Sequence, residues 1–275
     1  MTVSTPPATA TDRPARARRS AWGVQREVLF ALIIRESSAR VGGQWVGAVW
    51  TLIEPLAHTM LMVTVLGTIA GRASASYEYP VFLLTGLIPF FLFQNLANRL
   101  MDGIEANRGL YGYRQVKPMD VLIARSVVEA GMNLMVYAFA LGIFAWLGFH
   151  VAPADLLGVI LVNLLLIALG FGFGTFVAVV THERPRLRSM VRMSMMPLYF
   201  ASGVVFQVDL LPREYIDLLL WNPLIHLIEL QRHAFIPAYV PTEGVQVLYP
   251  TLYTLGLTAL ALSVYWRARH RLIRS

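Results

Sequence analysis

The sequence predicts an all-α polytopic membrane protein with six transmembrane helices, and three observations lead to this prediction. First, 56% of the 275 residues are hydrophobic and only 14% are charged, whereas soluble domains are about a quarter charged. Second, the charged residues fall between apolar stretches of about the 20 residues that a bilayer-spanning helix needs. Third, the basic residues are distributed unevenly between the two sides of those stretches. A water-soluble globular fold is excluded.

The N-terminal region divides into two parts. Residues 1–20 consist almost entirely of Pro, Ala, Thr, Ser and Arg, so we predict a disordered cytoplasmic tail. Residues 21–41 predict an amphipathic helix in the membrane interface, with a cytosolic linker helix as the alternative. Its apolar face would hold Trp22, Val28, Leu29, Leu32 and Ile33. The charged residues expected largely elsewhere are Arg26, Glu27, Arg35, Glu36 and Arg40.

The transmembrane domain is predicted over 42–270, followed by a cytoplasmic tail at 271–275. Its apolar runs are 45–70, 80–97, 127–149, 156–180, 193–211 and 247–266. At about 1.5 Å per residue, most of them can cross a hydrocarbon core of about 30 Å. The fifth run is the weakest prediction, because Arg192 and Asp209 lie close together and Pro212 follows.

The basic residues predict the orientation of these spans. Twenty of the 23 lie on one side, against Arg72, Arg213 and Arg232 on the other. Positively charged loops stay in the cytoplasm, so both termini are predicted there. An even number of crossings follows, which favours six spans and a multi-pass protein of the cytoplasmic membrane.

Several kinds of site are excluded by the residues that the sequence lacks. It has no cysteine, and its six histidines lack metal-binding spacing, so we predict no metal site. It contains no GxxxxGK[ST] motif for nucleotide phosphates and no serine-hydrolase motif. We therefore predict no catalytic residue and no cofactor bound by this chain. Its basic residues suit phosphate headgroups better than nucleic acid.

Two acidic residues fall inside predicted spans, where a charge is costly. Glu54 precedes Pro55 and lies one turn before His58, and Glu129 lies near the start of the third span. They are candidates for a polar conduit or for ion coupling. The alternative is that Glu54 satisfies backbone groups freed by Pro55, or pairs with an arginine of a neighbouring helix.

Three further segments carry structural predictions of their own. The loop 99–125 is too long and polar for a simple turn, so we expect a cytoplasmic partner to dock there, unless it is a solvated basic loop that only sets topology. The segment 212–244 is amphipathic and interrupted at Asn222, so we expect two short helices on the membrane surface or lining an exit. Glycines at 170, 172 and 174 predict close helix packing.

Three motifs resemble the permease subunits of ABC-2 type exporters, most closely the KpsM type that exports capsular polysaccharide in Gram-negative bacteria. They are VGAVWTLIEPLAHTMLMVTVLG at 46–67, YPVFLLTGLIPFFLFQNLANRLMDGIEANRGLYGYRQVKPMDVLIAR at 79–125, and WNPLIHLIELQRHAFI at 221–236. The likeness extends over about residues 22–270. A proline often found before the tryptophan of the first motif is absent here.

The resemblance implies a homodimer with two ATP-binding cassette subunits, which bind the ATP and Mg that this chain does not. It further implies a periplasmic copolymerase and an outer-membrane export protein, an ABC-2 (type V exporter-like) fold and a pair of periplasmic gate helices within 207–246. The implied ATPase-coupling segment is 105–117, with Glu105, Asn107, Arg108, Leu110, Tyr111, Tyr113, Arg114 and Lys117. The implied gate residues are Trp221, Asn222, Pro223, Glu229 and Arg232.

Candidate residues for the substrate pathway are aromatic or polar, since ring faces stack on sugars: Trp45, Trp50, Glu54, His58, Tyr137, Trp146, Tyr199 and Trp221. Arginines can hold phosphates, and those expected at the entrance are Arg35, Arg40, Arg99 and Arg192. The predicted function is the membrane subunit of an ATP-driven exporter of lipid-anchored, acidic capsular polysaccharide. The alternatives are an exporter of O-antigen, teichoic acid or drugs, or an ion-coupled secondary transporter.

Overall fold

The computed structural model describes residues 20–41, 53, 56–65 and 77–274. This part of the chain is helical and contains no β-strand, which confirms the predicted all-α class. In chain order the helices are α1 (Ala21–Val41), α2 (Leu56–Val65), α3 (Tyr79–Met101), α4 (Pro118–Trp146), α5 (Leu156–Val180), α6 (Pro185–Ala201), α7 (Arg213–Leu219), α8 (Pro223–Phe235) and α9 (Leu248–Arg274). Two 3₁₀ helices lie between them, at Glu105–Gly112 and Val208–Leu210.

Four helices in the described residues are long and apolar enough to cross a membrane: α3, α4, α5 and α9. They coincide with the second, third, fourth and sixth predicted spans, and α5 has the predicted bounds. α4 begins at Pro118, well before the apolar run at 127, and the Asp120 carboxylate caps it by accepting a hydrogen bond from the Lys117 N–H (2.9 Å). The first predicted span, 45–70, lies only partly within the described residues, which include Ile53 and α2.

α3 is the central helix of the bundle, and most of its residues are buried. It packs against α4, α5 and α8. Gly170 and Gly174 let α5 approach it closely, since an added Cβ would lie 2.9 Å from Leu96 and 2.7 Å from Leu100 of α3. Gly172 faces Thr258 of α9 in the same way (2.6 Å). The glycine string therefore serves helix packing, as predicted.

α6 runs antiparallel to α3 and overlaps the fifth predicted span, 193–211, only over 193–201. The helix begins earlier, at Pro185, and the rest of the predicted run forms a turn and the 3₁₀ helix Val208–Leu210. Near the start of α6, Arg188 contacts Glu105, which follows the end of α3. Toward the end of α6, Tyr199 packs against Phe90 near the middle of α3. The chain continues to the start of α3, where the Val205 carbonyl accepts a hydrogen bond from the Tyr79 hydroxyl (3.0 Å). α6 has only 17 residues. We call the end of the bundle that holds residues 102–117 and the α5–α6 turn the arginine-rich end.

α7 and α8 occupy the segment predicted to hold two short helices. Asn222 caps α8 by accepting a hydrogen bond from the Leu224 N–H (3.0 Å), and Pro223 begins the helix. α7 has no buried residue, whereas α8 is buried on nearly all sides, mainly against α3 and α5. The position of this segment on the membrane surface or along an exit stays a prediction. α8 does not present a charged face to solvent, because its Glu229 and Arg232 pair inside the protein.

α1 packs along α4 with a face that mixes apolar and charged residues. Leu32 and Glu36 are buried on this face, and Arg40 reaches Glu129 of α4. Trp22, near the N-terminal end of α1, is exposed. The prediction that Glu36 and Arg40 lie away from the apolar face is wrong, because ion pairs with α3 and α4 bring these charges inward.

Candidate functional site

The predicted coupling segment is anchored to the bundle by its inward side. Asn107 and Tyr111 are buried. The Asn107 amide donates a hydrogen bond to the Gly103 carbonyl (2.9 Å), and its oxygen accepts one from Arg35 of α1 (2.8 Å). Tyr111 belongs to an apolar cluster that joins α1, α4 and α9, and burial raises the pKa of its phenol well above the usual value. The cluster also contains residues of α3 and α5, so the segment is fixed to the helical bundle.

The outward side of the segment is basic and aromatic. Tyr113 is 67% exposed, and the three cationic residues beside it are exposed as well. We call these four residues the coupling surface: Arg108, Tyr113, Arg114 and Lys117. Leu110 is half-buried. Four of the eight residues predicted to contact an ATPase are therefore accessible, while Asn107 and Tyr111 hold the segment in place and Glu105 points toward α6.

Glu105 uses both carboxylate oxygens in contacts with the residues around the start of α6. Its Oε2 lies 2.7 Å from Nη1 of Arg188 in α6, and its Oε1 accepts a hydrogen bond from the Glu183 N–H (3.1 Å). The hydrogen bond from Arg188 holds the pKa of Glu105 below its ordinary value of 4.5, and it outweighs the opposing effect of burial. The carboxylate is therefore charged at neutral pH and joins the coupling segment to the start of α6.

The lowered pKa of Glu105 predicts a pH-dependent contribution to stability. A carboxyl group with a lowered pKa in the folded state stabilises the protein above its unfolded-state pKa and loses that contribution as the pH falls through the folded-state value. We expect Glu105→Gln to have a lower unfolding midpoint than the wild type near neutral pH. The difference should shrink below about pH 4.5. Thermal unfolding of both proteins in detergent, measured between pH 7 and pH 3, tests this; a constant difference would contradict it.

The four arginines predicted at the entrance all have polar partners. The contacts are Arg35 Nη1 to Asn107 Oδ1 (2.8 Å), Arg40 Nη2 to Glu129 Oε1 (3.1 Å), Arg99 to Glu36 (3.8 Å) and to Glu129 (3.6 Å), and Arg192 Nη2 to Asp102 Oδ2 (2.8 Å). A phosphate at this place has to compete with Glu36 and Glu129. Glu129 pairs with both Arg40 and Arg99, and its role in ion coupling stays a prediction.

The predicted pathway residues lie in different places. His58 of α2 and Tyr199 of α6 both pack against Phe91 of α3, so the structure brings these two together. Tyr137 is buried between helices, where its hydroxyl accepts a hydrogen bond from Gln231 (3.0 Å). Trp146 is 85% exposed at the end of α4. Trp45, Trp50 and Glu54 lie outside the described residues.

Two of the predicted gate residues form a fully buried ion pair. Arg232 Nη1 lies 3.2 Å from Glu229 Oε1, and neither side chain is exposed. Glu229 also accepts hydrogen bonds from the Tyr239 hydroxyl (2.7 Å) and from the N–H and hydroxyl groups of Thr242 (3.1 Å each). Arg232 donates to the Val204 carbonyl (2.6 Å). The pair therefore connects α8 to the segments before and after it in the chain. The sequence contained no pattern that identified Tyr239 and Thr242 as hydrogen-bond partners of Glu229.

The space for Arg232 is provided by Gly86 of α3. A Cβ at this position would lie 2.6 Å from Arg232 Nη2 and 2.7 Å from the Val204 carbonyl oxygen. We expect Gly86→Ala to destabilise the protein by about 1–3 kcal/mol, as overpacking does. Gly142→Ala in α4 is the matched control, because nothing lies within 4 Å of its added Cβ, and it should be neutral. Thermal unfolding of the two purified variants tests this; equal midpoints would contradict it.

The fold and these surfaces define a class of protein: a polytopic membrane protein whose charged groups are paired inside an apolar helical bundle and which presents an exposed basic segment at one end. Residues 27–236 match the ABC-2 type transporter family. The chain belongs to this family.

Similar proteins extend over most of the chain. It is 38% identical over 247 residues to the polysialic acid transport protein KpsM of Escherichia coli; the matching residues are 90% of this chain and 95% of that protein. It is 31% identical over 250 residues to the capsule polysaccharide export inner-membrane protein CtrC of Neisseria meningitidis serogroup A, covering 89% and 92%. It is 25% identical over 220 residues to the capsule polysaccharide export inner-membrane protein BexB of Haemophilus influenzae, covering 79% and 82%.

Proposed function

We propose that this chain is the transmembrane permease subunit of an ATP-driven exporter that moves lipid-anchored, acidic capsular polysaccharide across the inner membrane. The observation that supports this most is the 38% identity over 90% of the chain to a protein named for polysialic acid transport. The net charge of +7 suits an anionic substrate.

The energy for transport comes from a partner. The sequence has no P-loop motif, and we propose that two ATP-binding cassette subunits bind Mg and ATP and dock on the coupling surface. Tyr113 and the three cations beside it are accessible for this contact. The buried Asn107 and Tyr111 would transmit the movement of the ATPase to α1, α4 and α9.

The transmembrane domain has six spans and works as a homodimer with both termini in the cytoplasm. α6 supports the count of six, because together with residues 202–205 it follows α3 over the full height of that helix. The arginine-rich end is the cytoplasmic end, in keeping with the positive-inside rule. Further partners are a periplasmic copolymerase and an outer-membrane export protein.

The substrate enters near the paired arginines of α1, α3 and α6 and leaves near α7 and α8. His58 and Tyr199 are the candidates for the pathway that share one aromatic cluster. Glu229 and Arg232 hold α8 in position at the exit, while the exposed Trp221 is accessible to substrate.

Deletion of the gene tests the substrate. We expect cells without this chain to accumulate capsular polymer in the cytoplasm and to lack it at the surface, with unchanged tolerance to drugs. Polymer is measured by immunolabelling of intact and permeabilised cells, and expression of the wild-type chain should restore the surface signal. Normal surface capsule after deletion, or a changed drug tolerance alone, would contradict the proposal.

A further inference from the structure

α9 exposes an apolar stripe along most of its length. Leu252, Leu255, Leu262 and Trp266 recur at helical spacing, and all four are exposed. Another side of the helix packs mainly against α5. Because α9 is long and apolar enough to cross a membrane, this stripe is suited to contact with the acyl chains of the bilayer.

The stripe ends in an aromatic and cationic group at the arginine-rich end. Tyr265 fixes the position of this end, because its hydroxyl accepts a hydrogen bond from the Met119 N–H at the start of α4 (3.3 Å). The next residue, Trp266, is 64% exposed. The guanidinium carbon of Arg269, about one turn further, lies 3.8 Å from the centre of the Trp266 ring, which is a cation–π contact. An exposed tryptophan followed by cations is typical of the membrane–water interface.

Arg269 keeps hydrogen-bonding capacity on its outer side. Within the described residues, its side chain donates through Nε to Nε2 of His270 (3.3 Å), and both terminal nitrogens remain for a ligand. Arg267 and His270 are exposed as well, and with 3.6 residues per turn they flank Trp266 on the same side of the helix. The guanidinium of Arg269 can therefore hold a phosphate through two parallel hydrogen bonds.

These cations lack the carboxylate partners that other arginines of the bundle have. Leu248–Arg274 contains no acidic residue, and neither Arg267 nor Arg269 forms an ion pair in the part of the chain that the structure describes. The buried and half-buried arginines that do pair with carboxylates are Arg40, Arg99, Arg125, Arg188 and Arg232. The end of α9 thus carries positive charge that only a ligand or solvent ions can neutralise.

We infer that Trp266, Arg267 and Arg269 form a binding site for an anionic phospholipid of the cytoplasmic leaflet. Arg269 binds the phosphate, Arg267 supplies a second positive charge, and the acyl chains lie along the exposed stripe of α9. A bound lipid holds the end of α9 and, through Tyr265, the start of α4. The site rests on the proposed membrane orientation of the chain, and it depends neither on the ATPase nor on the exported polymer.

Quenching of tryptophan fluorescence by brominated lipids tests this site. The full-length chain is placed in vesicles that contain equal mole fractions of phosphatidylglycerol and phosphatidylcholine, and one of the two lipids at a time carries bromine near the headgroup end of its acyl chains. Because the chain has six tryptophans, the Trp266 signal is taken as the difference between the wild type and Trp266→Phe. We expect brominated phosphatidylglycerol to quench Trp266 at least about threefold more effectively than brominated phosphatidylcholine.

Two charge-neutralising variants show whether the preference is local. Arg267→Gln with Arg269→Gln should quench equally with both lipids. Arg108→Gln with Arg114→Gln is the matched control, because it removes two exposed cations from the same end of the bundle and should keep the wild-type preference. A loss of preference in this control would indicate a general charge effect and overturn the site.

The wild-type measurement contradicts the inference in three further ways. Equal quenching by the two lipids would show that the site does not select an anionic headgroup. No quenching of Trp266 by either lipid would show that protein covers this face of α9. Loss of the preference on addition of inorganic phosphate or of lipid-linked capsular polymer, at constant ionic strength, would assign the site to that ligand instead of a phospholipid.

Discussion

Replacing Arg232 with alanine is expected to lower the free energy of unfolding by about 3–5 kcal/mol, because removing one partner of a buried ion pair leaves an uncompensated charge. Glu229 and Arg232 are both fully buried in the structure. Without Arg232, the Glu229 carboxylate keeps Tyr239 and Thr242 as hydrogen-bond donors but loses its cationic partner. α8 should then loosen from the segments that it holds.

The measurement is thermal or denaturant unfolding of the purified protein in detergent. Arg213→Ala is the matched control, since Arg213 also pairs with a glutamate, Glu243 at 2.9 Å, but their side chains are 85% and 81% exposed. Exposed pairs contribute little, so this variant should unfold like the wild type. Equal stability of the Arg232→Ala and Arg213→Ala proteins would contradict the structural role of the buried pair.

Replacing Tyr111 with alanine is the second change for which we expect a large effect. Its ring is 8% exposed and packs in the cluster that joins α1, α4 and α9, and removal of a buried aromatic ring costs about 3–5 kcal/mol. The coupling segment should lose its anchor. We therefore expect ATP hydrolysis by the complex to continue while polymer export falls.

Tyr113, two residues away, provides the control. It is 67% exposed, so Tyr113→Ala should leave the unfolding midpoint unchanged and weaken ATPase copurification instead. Tyr111→Phe should be neutral or slightly stabilising, because the buried Tyr111 hydroxyl has no hydrogen-bond partner in the described residues. Unfolding and copurification are measured on all three proteins. If the alanine variants at 111 and 113 behave alike, the assignment of inward and outward sides is wrong.

Apolar periodicity and glycine spacing predicted a large part of this fold. α5 begins and ends at the predicted residues, because an uncharged apolar run of this length is typical of a transmembrane helix. The break at Asn222 and Pro223 also follows from local chemistry, because an asparagine cap and an N-terminal proline are helix-start signals. Such features depend on neighbouring residues in the chain.

The positions of charged residues could not be predicted in the same way. Glu36 and Arg125 pair at 2.8 Å although they are far apart in the chain, and neither helix alone shows that the other supplies its partner. The burial of α8 was missed for the same reason, since Glu229 and Arg232 suggest an exposed helix until their mutual contact is known.

The candidate site also combines features that the local sequence predicts with contacts between distant residues that it does not. The length and polarity of the loop 99–125 predicted a docking segment, but its sequence did not show that Tyr111 is buried and Tyr113 exposed. In the sequence, Arg188 is only one of the twenty basic residues on the predicted cytoplasmic side. Its contacts with Glu105 and Thr181 depend on α6 lying against α3, which a single sequence does not reveal.

Polymer transport in a defined vesicle system is the most direct test of ATP-driven export by a complex of this chain with a separate ATPase. Inside-out proteoliposomes containing the purified complex receive lipid-anchored capsular polysaccharide, and polymer protected from an added polysaccharide-degrading enzyme is measured over time. We expect protection that requires Mg and ATP and disappears when the ATPase is omitted. Protection without the ATPase, or hydrolysis that moves no polymer in an intact complex, would contradict this function.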